Sequence, residues 1–480
     1  MKKIFSIILG VALVISATSC GKDFLEKAPV LSLSNSISLS TLNGCDQAVH
    51  GAYYYISSAG WWGCNRVIDM EMRCGNGVKS DYPNSNRYVQ PYNWNYSEES
   101  TVASVWEGCY YTASAVNNVI DALEGLNADE QDKNNLKAEC LFLRAFAHFE
   151  NVLMYGQPYT YKKDSPGVPY VFKTDPAGRP ARETVAQVYE YVVADLLEAE
   201  KIIDPAYARS SSVDPRGVAD IYTIWGMLSR VYLYMGEWQK SADYATKVID
   251  SNKFKMWKAG EYPYVWTADK GSGEVIFEVY GKRSNSSNAN WDDISWVTKP
   301  DGYGDPQVST DLLSLYAEGD ARLDTYCESE DPKAAGVTWT TKYAGKGDNA
   351  APDCNNVIIM RLSEMYLNRA EAAVNGASTG STAVKDLNVI TSNRGAAAYT
   401  SVGQNDIQIE RRKELAWEGH YLYDLARWGK PVIREGGNFA LINMNQNVAF
   451  PDYRWALPIP KRELELNENL VQNEGYKSNN

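Results

Sequence analysis

The residues best suited to recognition chemistry in this chain are rings that carry a polar atom. Between positions 53 and 111 there are thirteen tyrosines and tryptophans and not one phenylalanine, and the whole chain holds 33 Tyr and 14 Trp against 10 Phe. A core built only for apolar burial has no reason to prefer rings with an N–H or O–H, which suit surfaces that must be flat and wet at once. A sugar offers one face of C–H groups and an edge of hydroxyls. A flat ring stacks on the face, while Asn, Asp, Gln and Arg read the edge. Desolvating such a ligand leaves little surplus energy, so the platform has to be preformed. Tyr53, Trp106, Tyr110 and Tyr111 fall in stretches of helical period and read as core. The candidates for ligand contact are then Trp61, Trp62, Tyr82, Tyr88, Trp94 and Tyr96, interleaved with Asn65, Asp81, Asn84, Asn86, Arg87 and Asn93. A second loop-rich stretch adds Trp291, Trp296 and Tyr303, with Asn290, Asp292 and Asp293 beside them.

One segment looks catalytic at first sight. ERRKELAWEGHYLYDLARWG gathers Glu410, Glu414, Glu418, His420 and Asp424 in a short span, and glycoside hydrolysis needs two carboxyl groups flanking a bond. Yet Arg411, Leu415, Glu418, Leu422 and Leu425 share one face at helical spacing, so Arg411 and Glu418 lie in an apolar stripe. Charges persist there only when paired. The segment reads as a structural ion-pair network, and no catalytic residue is assigned. A zinc-protease helix would need a second histidine four positions from His420. The three histidines, His50, His148 and His420, are far apart, so no metal site is expected, and His148 reads as a satisfied core residue.

These groups need a scaffold. At 480 residues, 44% hydrophobic and 22% charged, the chain is globular and long enough for more than one sub-structure. Its formal net charge is −13. Phosphate binding draws on Lys and Arg, so nucleic acid is not an expected partner. Residues 21–50 read as a surface-wrapping tether. From 101 onward the helical period dominates: Phe142, Phe146, Phe149 and Leu153 run along one face, residues 156–182 form a loop, and Thr184 opens a helix closed by Pro205. Trp225, Leu228, Ser229 and Tyr232 match the W-x2-L-G-x2-Y pattern of a tetratricopeptide (TPR) helix, with Gly236 and Trp238 turning into a second helix. Residues 257–305 turn loop-rich, with the β-like run EVIFEVY. Helical period resumes from Ile359 to Ala373, then over Ala383–Ser392 and from about Asp406 to Trp428. The segment 429–480 is mostly irregular. The expected fold is mainly α, a TPR-like helical hairpin scaffold with a loop-rich irregular region containing short β-strands.

The amino terminus, MKKIFSIILGVALVISATSC, has Lys2 and Lys3 followed by an apolar run from Ile4 to Ile15. That run is too short to span a bilayer. It resembles a bacterial lipoprotein signal over residues 1–19, with Cys20 as the acylated first residue; Ala17 departs from the usual Leu. The mature chain would then carry 45 basic and 60 acidic residues, a net charge of −15. Seven further cysteines follow, four of them within 45–109, and one or two disulfides near the N-terminus are allowed without a pairing.

Five segments together resemble the SusD/RagB family, the lipid-anchored nutrient-binding partners of TonB-dependent outer-membrane transporters. They are CGKDFLEKAP, LKAECLFLRAFAHFENVLMYG, VIIMRLSEMYLNRAEAAVNG, IERRKELAWEGHYLYDLARWGK and ALPIPKRELELNENLVQNEGY, in family order across nearly the whole chain after the signal. The resemblance implies an N-terminal region over 20–220 and a C-terminal region over 221–480, with the ligand site in the irregular part. It implies a glycan-binding, non-enzymatic protein at the cell surface, held in the outer membrane by lipid on Cys20 and by no other cofactor. Such a protein delivers oligosaccharide to a SusC-like transporter. Two alternatives stay open: a peptide-importing subunit, or an anchored glycoside hydrolase with a carboxylate pair among Asp81, Asp292, Asp293 and Asp301.

Overall fold

The computed structural model describes residues 38–79, 85–209, 216–266, 273–279, 293–328, 330–345, 355–441 and 447–476. Cys20 with the signal, and the candidate residues Asp81, Tyr82, Asn84, Asn290, Trp291 and Asp292, lie outside the described residues.

The scaffold is a run of antiparallel helices, each packed on the next. In chain order the elements used below are α1 (Leu42–Ile56), α2 (Asn65–Cys74), α3 (Val89–Asn93), α4 (Ala103–Gly125), α5 (Glu130–Tyr155), α6 (Val185–Ile202), α7 (Ile221–Met235), α8 (Trp238–Asp250), α9 (Leu362–Val374), α10 (Ala383–Asn393), α11 (Gln404–Leu415) and α12 (Tyr421–Arg427). Helix α4 packs on α1 and α5, α5 on α6, α6 on α7, α7 on α8, α8 on α9, and α9 on α10 and α11. The local reasons are visible in the sequence. Thr184 forms a full capping box with Gln187 at the start of α6, and Phe142, Phe146 and Phe149 of α5 are fully buried along one face. The α7–α8 hairpin is the TPR-like unit: Gly236 turns it at φ +76°. Ser229 Oγ donates to the Ser241 carbonyl at 3.0 Å and Ser241 Oγ returns a bond to the Ser229 carbonyl at 2.8 Å, so small side chains let the two helices touch.

Three two-stranded antiparallel sheets interrupt the helices: β1 (Gly77–Lys79) with β3 (Pro306–Val308), β2 (Val275–Val279) with β6 (Val357–Arg361), and β4 (Tyr326–Glu328) with β5 (Thr338–Thr340). Within EVIFEVY, Val275–Val279 form a strand, as the β-branched run suggests.

Several expectations are corrected. Residues 42–50 belong to α1, with Cys45 and Val49 buried, because the apolar residues there recur at helical spacing. Ile359 is in β6, and the helix begins only at Leu362, because a fully buried apolar run carries no period of its own. The helix expected from Asp406 to Trp428 is two helices. It breaks at Ala416–His420, where Trp417 and Gly419 take left-handed conformations (φ +64° and +76°). Cys45, Cys64, Cys74, Cys109, Cys140 and Cys327 are all free thiols, so the disulfides allowed near the N-terminus are not formed among the described residues. Cys45 Sγ lies 3.5 Å from the Leu39 carbonyl, and Cys64 Sγ 3.4 Å from the Tyr88 hydroxyl.

The carboxylates of the motif segment are buried and paired, as the apolar stripe requires. Glu414 meets Arg361, Arg394 and Arg322 at 2.5, 2.7 and 3.0 Å. Arg322 also holds Glu410 at 2.6 Å, and Glu418 takes Arg361 and Lys342, each at 2.8 Å. Burial alone would push the Glu414 carboxyl up, but the guanidiniums of Arg394, Arg361 and Arg322 outweigh it and hold the group well below the usual carboxylate range. Asp424 is held by Arg411 and Arg427. His148 donates from Nδ1 to the Arg144 carbonyl and accepts the Val171 N–H at Nε2, and burial pushes its pKa down to about 3. It is a neutral core residue.

Removing one member of this network strands buried charge. Glu414→Gln should lower unfolding stability at pH 7 by about 3–5 kcal/mol, measured by denaturant titration. The deficit should shrink as pH falls below 4.5, where the wild-type group is progressively protonated in the unfolded chain and its contribution is lost. A deficit under about 1 kcal/mol would contradict the network's structural role.

Candidate functional site

The aromatic residues divide sharply. Trp61, Trp62, Trp94 and Tyr96 are buried, at 0, 1, 2 and 7% exposure, which removes them as an open stacking platform. Each has a packing reason. Trp61 stacks on Phe146 of α5 with ring centres 5.8 Å apart, and Trp62 leans on the same ring at 6.1 Å while Arg66 covers it. Trp94 donates its indole N–H to the Arg73 carbonyl at 3.0 Å, carries the Arg73 guanidinium on its face, and meets Trp455 edge-on at 5.1 Å. The opposite correction applies to Tyr111. It was expected in the core but is 56% exposed, stacked on Tyr55 at the α1–α4 surface.

What remains open is a cleft of about 810 Å³ walled by α2, the segment 86–96 and residues 100–104. Asn65 and Asp69, one helical turn apart, present one face of α2 to it. Asn86, Arg87, Tyr88, Gln90, Asn93 and Asn95 supply the facing wall, with Tyr96 beneath. Asn65, Asn86, Arg87, Tyr88, Asn93 and Tyr96 were legible from the sequence. Asp69, Gln90 and Asn95 were not, although Asn65 and Asp69 stand at i, i+4, a spacing that places them together on any helix.

The cleft wall is held in an unusual backbone. Asn86, Tyr88 and Trp94 all have positive φ (58°, 58° and 52°), so α3 is entered and left through the left-handed region. For non-glycine residues this costs on the order of 1 kcal/mol or more each, and such strain concentrates where side chains are being aimed. The pinning contacts are clear. Arg434 donates to the carbonyls of Tyr92, Met72 and Arg73, satisfying the last turn of α2 and tying it to α3. On the other flank, Ser85 donates through its backbone N–H at 2.6 Å and its hydroxyl to the Asp305 carboxylate.

That last contact brings the second loop-rich stretch to the cleft. The Arg87 guanidinium carbon lies over the Tyr303 ring, 3.9 Å from its centre, and Tyr303 meets Trp296 edge-on at 6.5 Å. Both rings are half-buried. Of the sequence-predicted set, the structure therefore joins Arg87, Tyr88, Trp296 and Tyr303 into one neighbourhood. Asp293 is spent as the cap of the short helix Ile294–Thr298, accepting from Ser295 N–H at 2.9 Å.

Asp69 is a strongly perturbed carboxyl in the cleft. It is 6% exposed, and burial raises its pKa to about 7 against the opposing pull of Arg73. No protein donor among the described residues satisfies its carboxyl. The phenol of Tyr96 beside it is likewise buried without a partner, and burial, then the Asp69 charge, push that phenol far up. Buried polar groups without partners are costly, and both of these residues line the cleft. The cleft thus offers one carboxyl whose pKa lies near 7, a guanidinium, five amides and aromatic walls. That set suits a ligand dense in hydroxyls.

Two outcomes follow. Because the folded state favours neutral Asp69, wild-type stability falls as pH rises from about 4 to 7. Asp69→Asn should therefore be more stable than wild type at pH 8, by on the order of 2–4 kcal/mol, with the gain gone at pH 3.5; equal stability at both pH values would contradict the burial account. Trp61→Ala should cost about 3–5 kcal/mol in thermal or chemical unfolding, as a core truncation.

Comparison with known proteins agrees with this architecture. Residues 23–233 match the family profile SusD-like 3, described as "Starch-binding associating with outer membrane", and residues 324–476 match that of the SusD family, SusD/RagB. A SusD-like protein of Formosa agariphila, P2, is 27% identical over 97% of this chain and 98% of its own. A SusD superfamily protein from Bacteroides thetaiotaomicron superposes with a TM-score of 0.81 at 29% identity, covering 90% of this chain and 99% of that one. Another, from Bacteroides vulgatus, gives 0.80 at 26% identity, over 91% and 100%. With two family profiles spanning most of its length and a mainly helical TPR-like frame shared with these structures, the chain belongs to the SusD/RagB family.

Proposed function

We propose that this protein captures oligosaccharide in the cleft between α2 and α3 and hands it, uncleaved, to a SusC-like TonB-dependent transporter. Cys20 would carry the lipid that keeps it at the outer membrane, on the outer face of the cell. The observation that carries the reading is the cleft itself: an open, strained and pinned wall of amides and aromatic rings around an unpartnered carboxyl, in a chain whose family profile is described as starch-binding and outer-membrane associated. The half-open pair Trp296–Tyr303 extends the cleft with ring surface, and Arg87 links the two.

Binding without cleavage is the expected mode. The carboxylates of the motif segment are locked to arginines, far from the geometry a glycosidase needs. Asp293 is a helix cap and Asp301 stands on an exposed turn, so neither pairs across the cleft as a general acid and nucleophile would. A captured chain would find a preformed site and lose little entropy on binding. Tethering at the membrane raises its local concentration at the transporter mouth.

The test is a binding screen of residues 21–480 on a glycan panel, with chromatography of each ligand after incubation. The expected result is retention of at least one glycan class, recovered intact. Arg87→Ala should weaken that binding about tenfold or more, since a charge-assisted hydrogen bond contributes roughly 1.5–3 kcal/mol, with unfolding temperature nearly unchanged. Shortened products would move the protein to the hydrolases. Binding only to peptides would assign the cleft to a peptide-importing subunit.

A further inference from the structure

A second cleft, of about 550 Å³, opens on the other side of the C-terminal turn Asp452–Trp455. Its walls carry two tyrosines that are unusually exposed for their size, Tyr161 at 46% and Tyr453 at 43%. Neither ring is loose. Tyr161 is braced edge-on by Phe450 at 5.4 Å, and Tyr453 by Tyr476 at 5.0 Å. One face of Tyr453 is also covered by bare backbone: a Cβ at Gly475 would fall 2.3 Å from ring Cδ2 and 2.4 Å from Cγ. Gly475 has φ +87°, so both space and conformation demand glycine there. The result is a ring fixed from behind and open in front.

The polar groups around these rings are unevenly used. Gln157 donates its amide N–H to the Tyr453 carbonyl at 3.0 Å, but its Oε1 is buried in the cleft wall without a donor among the described residues. At the rim Lys162 and Glu474 pair at 3.1 Å, exposed to solvent. Two preset aromatic faces with one waiting acceptor between polar rims match the face and edge of a sugar ring. An apolar partner would leave the Gln157 oxygen stranded.

The two clefts are mechanically joined. Asp452 and Tyr453 line the second, while the Arg454 carbonyl accepts from Arg73 at 2.9 Å and Trp455 packs on Trp94, which lies between Asn93 and Asn95 of the first cleft's wall. We propose that this C-terminal cleft is a second glycan subsite, stacking sugar on Tyr161 and Tyr453 and accepting a hydrogen bond from a sugar hydroxyl at Gln157 Oε1, so that one long chain is held at two places. The proposal rests on the glycan reading of the first cleft. Two linked sites on one chain give an avidity beyond either alone.

The experiment is native electrophoresis in gels cast with amylopectin, arabinoxylan, xyloglucan or dextran, joined to calorimetry with a trisaccharide of the polysaccharide that retards the wild type. The double variant Tyr161→Ala/Tyr453→Ala should lose at least about tenfold in retardation by the polysaccharide. Its trisaccharide stoichiometry should fall from two per chain to one, as it should for Arg87→Ala, which strikes the other cleft. Tyr161→Phe/Tyr453→Phe, which keeps the stacking faces, should behave as wild type. Glycan binding by the double alanine variant equal to wild type in both assays would overturn the second subsite while leaving the first, and would assign these tyrosines to a protein contact. No retardation of the wild type by any of the four polysaccharides would overturn both.

Discussion

Three arginines converge on one buried carboxylate at Glu414, and much of the C-terminal half is arranged around that point. Arg361 arrives at the end of β6, Arg394 follows α10, and Arg322 lies in the turn before β4. Glu274, at the start of β2, closes the ring by pairing with Arg361 at 3.1 Å and Arg394 at 2.5 Å. No member of this set could stay charged in an apolar interior alone. Together they lock a strand pair, a helix and two loops into one register, which is the specificity such networks can supply where their net contribution to stability is small.

The same segment reaches across to the candidate cleft. Just past Glu414 the chain leaves α11, and Gly419 donates its N–H to Glu71 at 2.8 Å while its carbonyl accepts from Arg66 at 3.0 Å. Both partners belong to α2, the floor of the cleft. A side chain at Gly419 would press on Arg66 and Val67, so the glycine permits the close approach. The conspicuous acidic motif therefore works as a clamp: its charges order the frame, and its glycine docks the helix that carries Asn65 and Asp69. That arrangement gives the charges of this segment a structural role, ordering the frame and docking α2.

The helical frame was well marked in the sequence because its signals are local. The phenylalanine face of α5, the capping box of α6 and the glycine turn of α7–α8 each involve residues within a few positions of one another. The ion-pair reading of Glu418 and Arg411 followed from polarity in an apolar stripe, though the break at Trp417 was hidden because tryptophan is not a residue that announces a left-handed turn. The cleft was only half legible. Amides and Arg87 could be picked out by type, but whether a tryptophan faces solvent depends on what lies over it. Trp61 and Trp62 are covered by Phe146 of α5, and Trp94 by Trp455, some 360 residues later. No local pattern encodes such a contact. Asp69 was missed for the same reason, since its importance comes from the absence of a partner, which only the folded chain reveals.

The picture that results is a helical frame with a strained, pinned edge that presents amides, a guanidinium and a carboxyl to an open cleft. Its central claim is that ligand lies against α2 and α3 as an intact sugar chain. The most direct test is a crystal structure of residues 21–480 soaked with the oligosaccharide that binds best in solution. The account predicts pyranose density in the cleft, within hydrogen-bond reach of Asp69 and Asn93, with every glycosidic bond unbroken. Sugar bound elsewhere with this cleft empty, or density for a cleaved product, would contradict it.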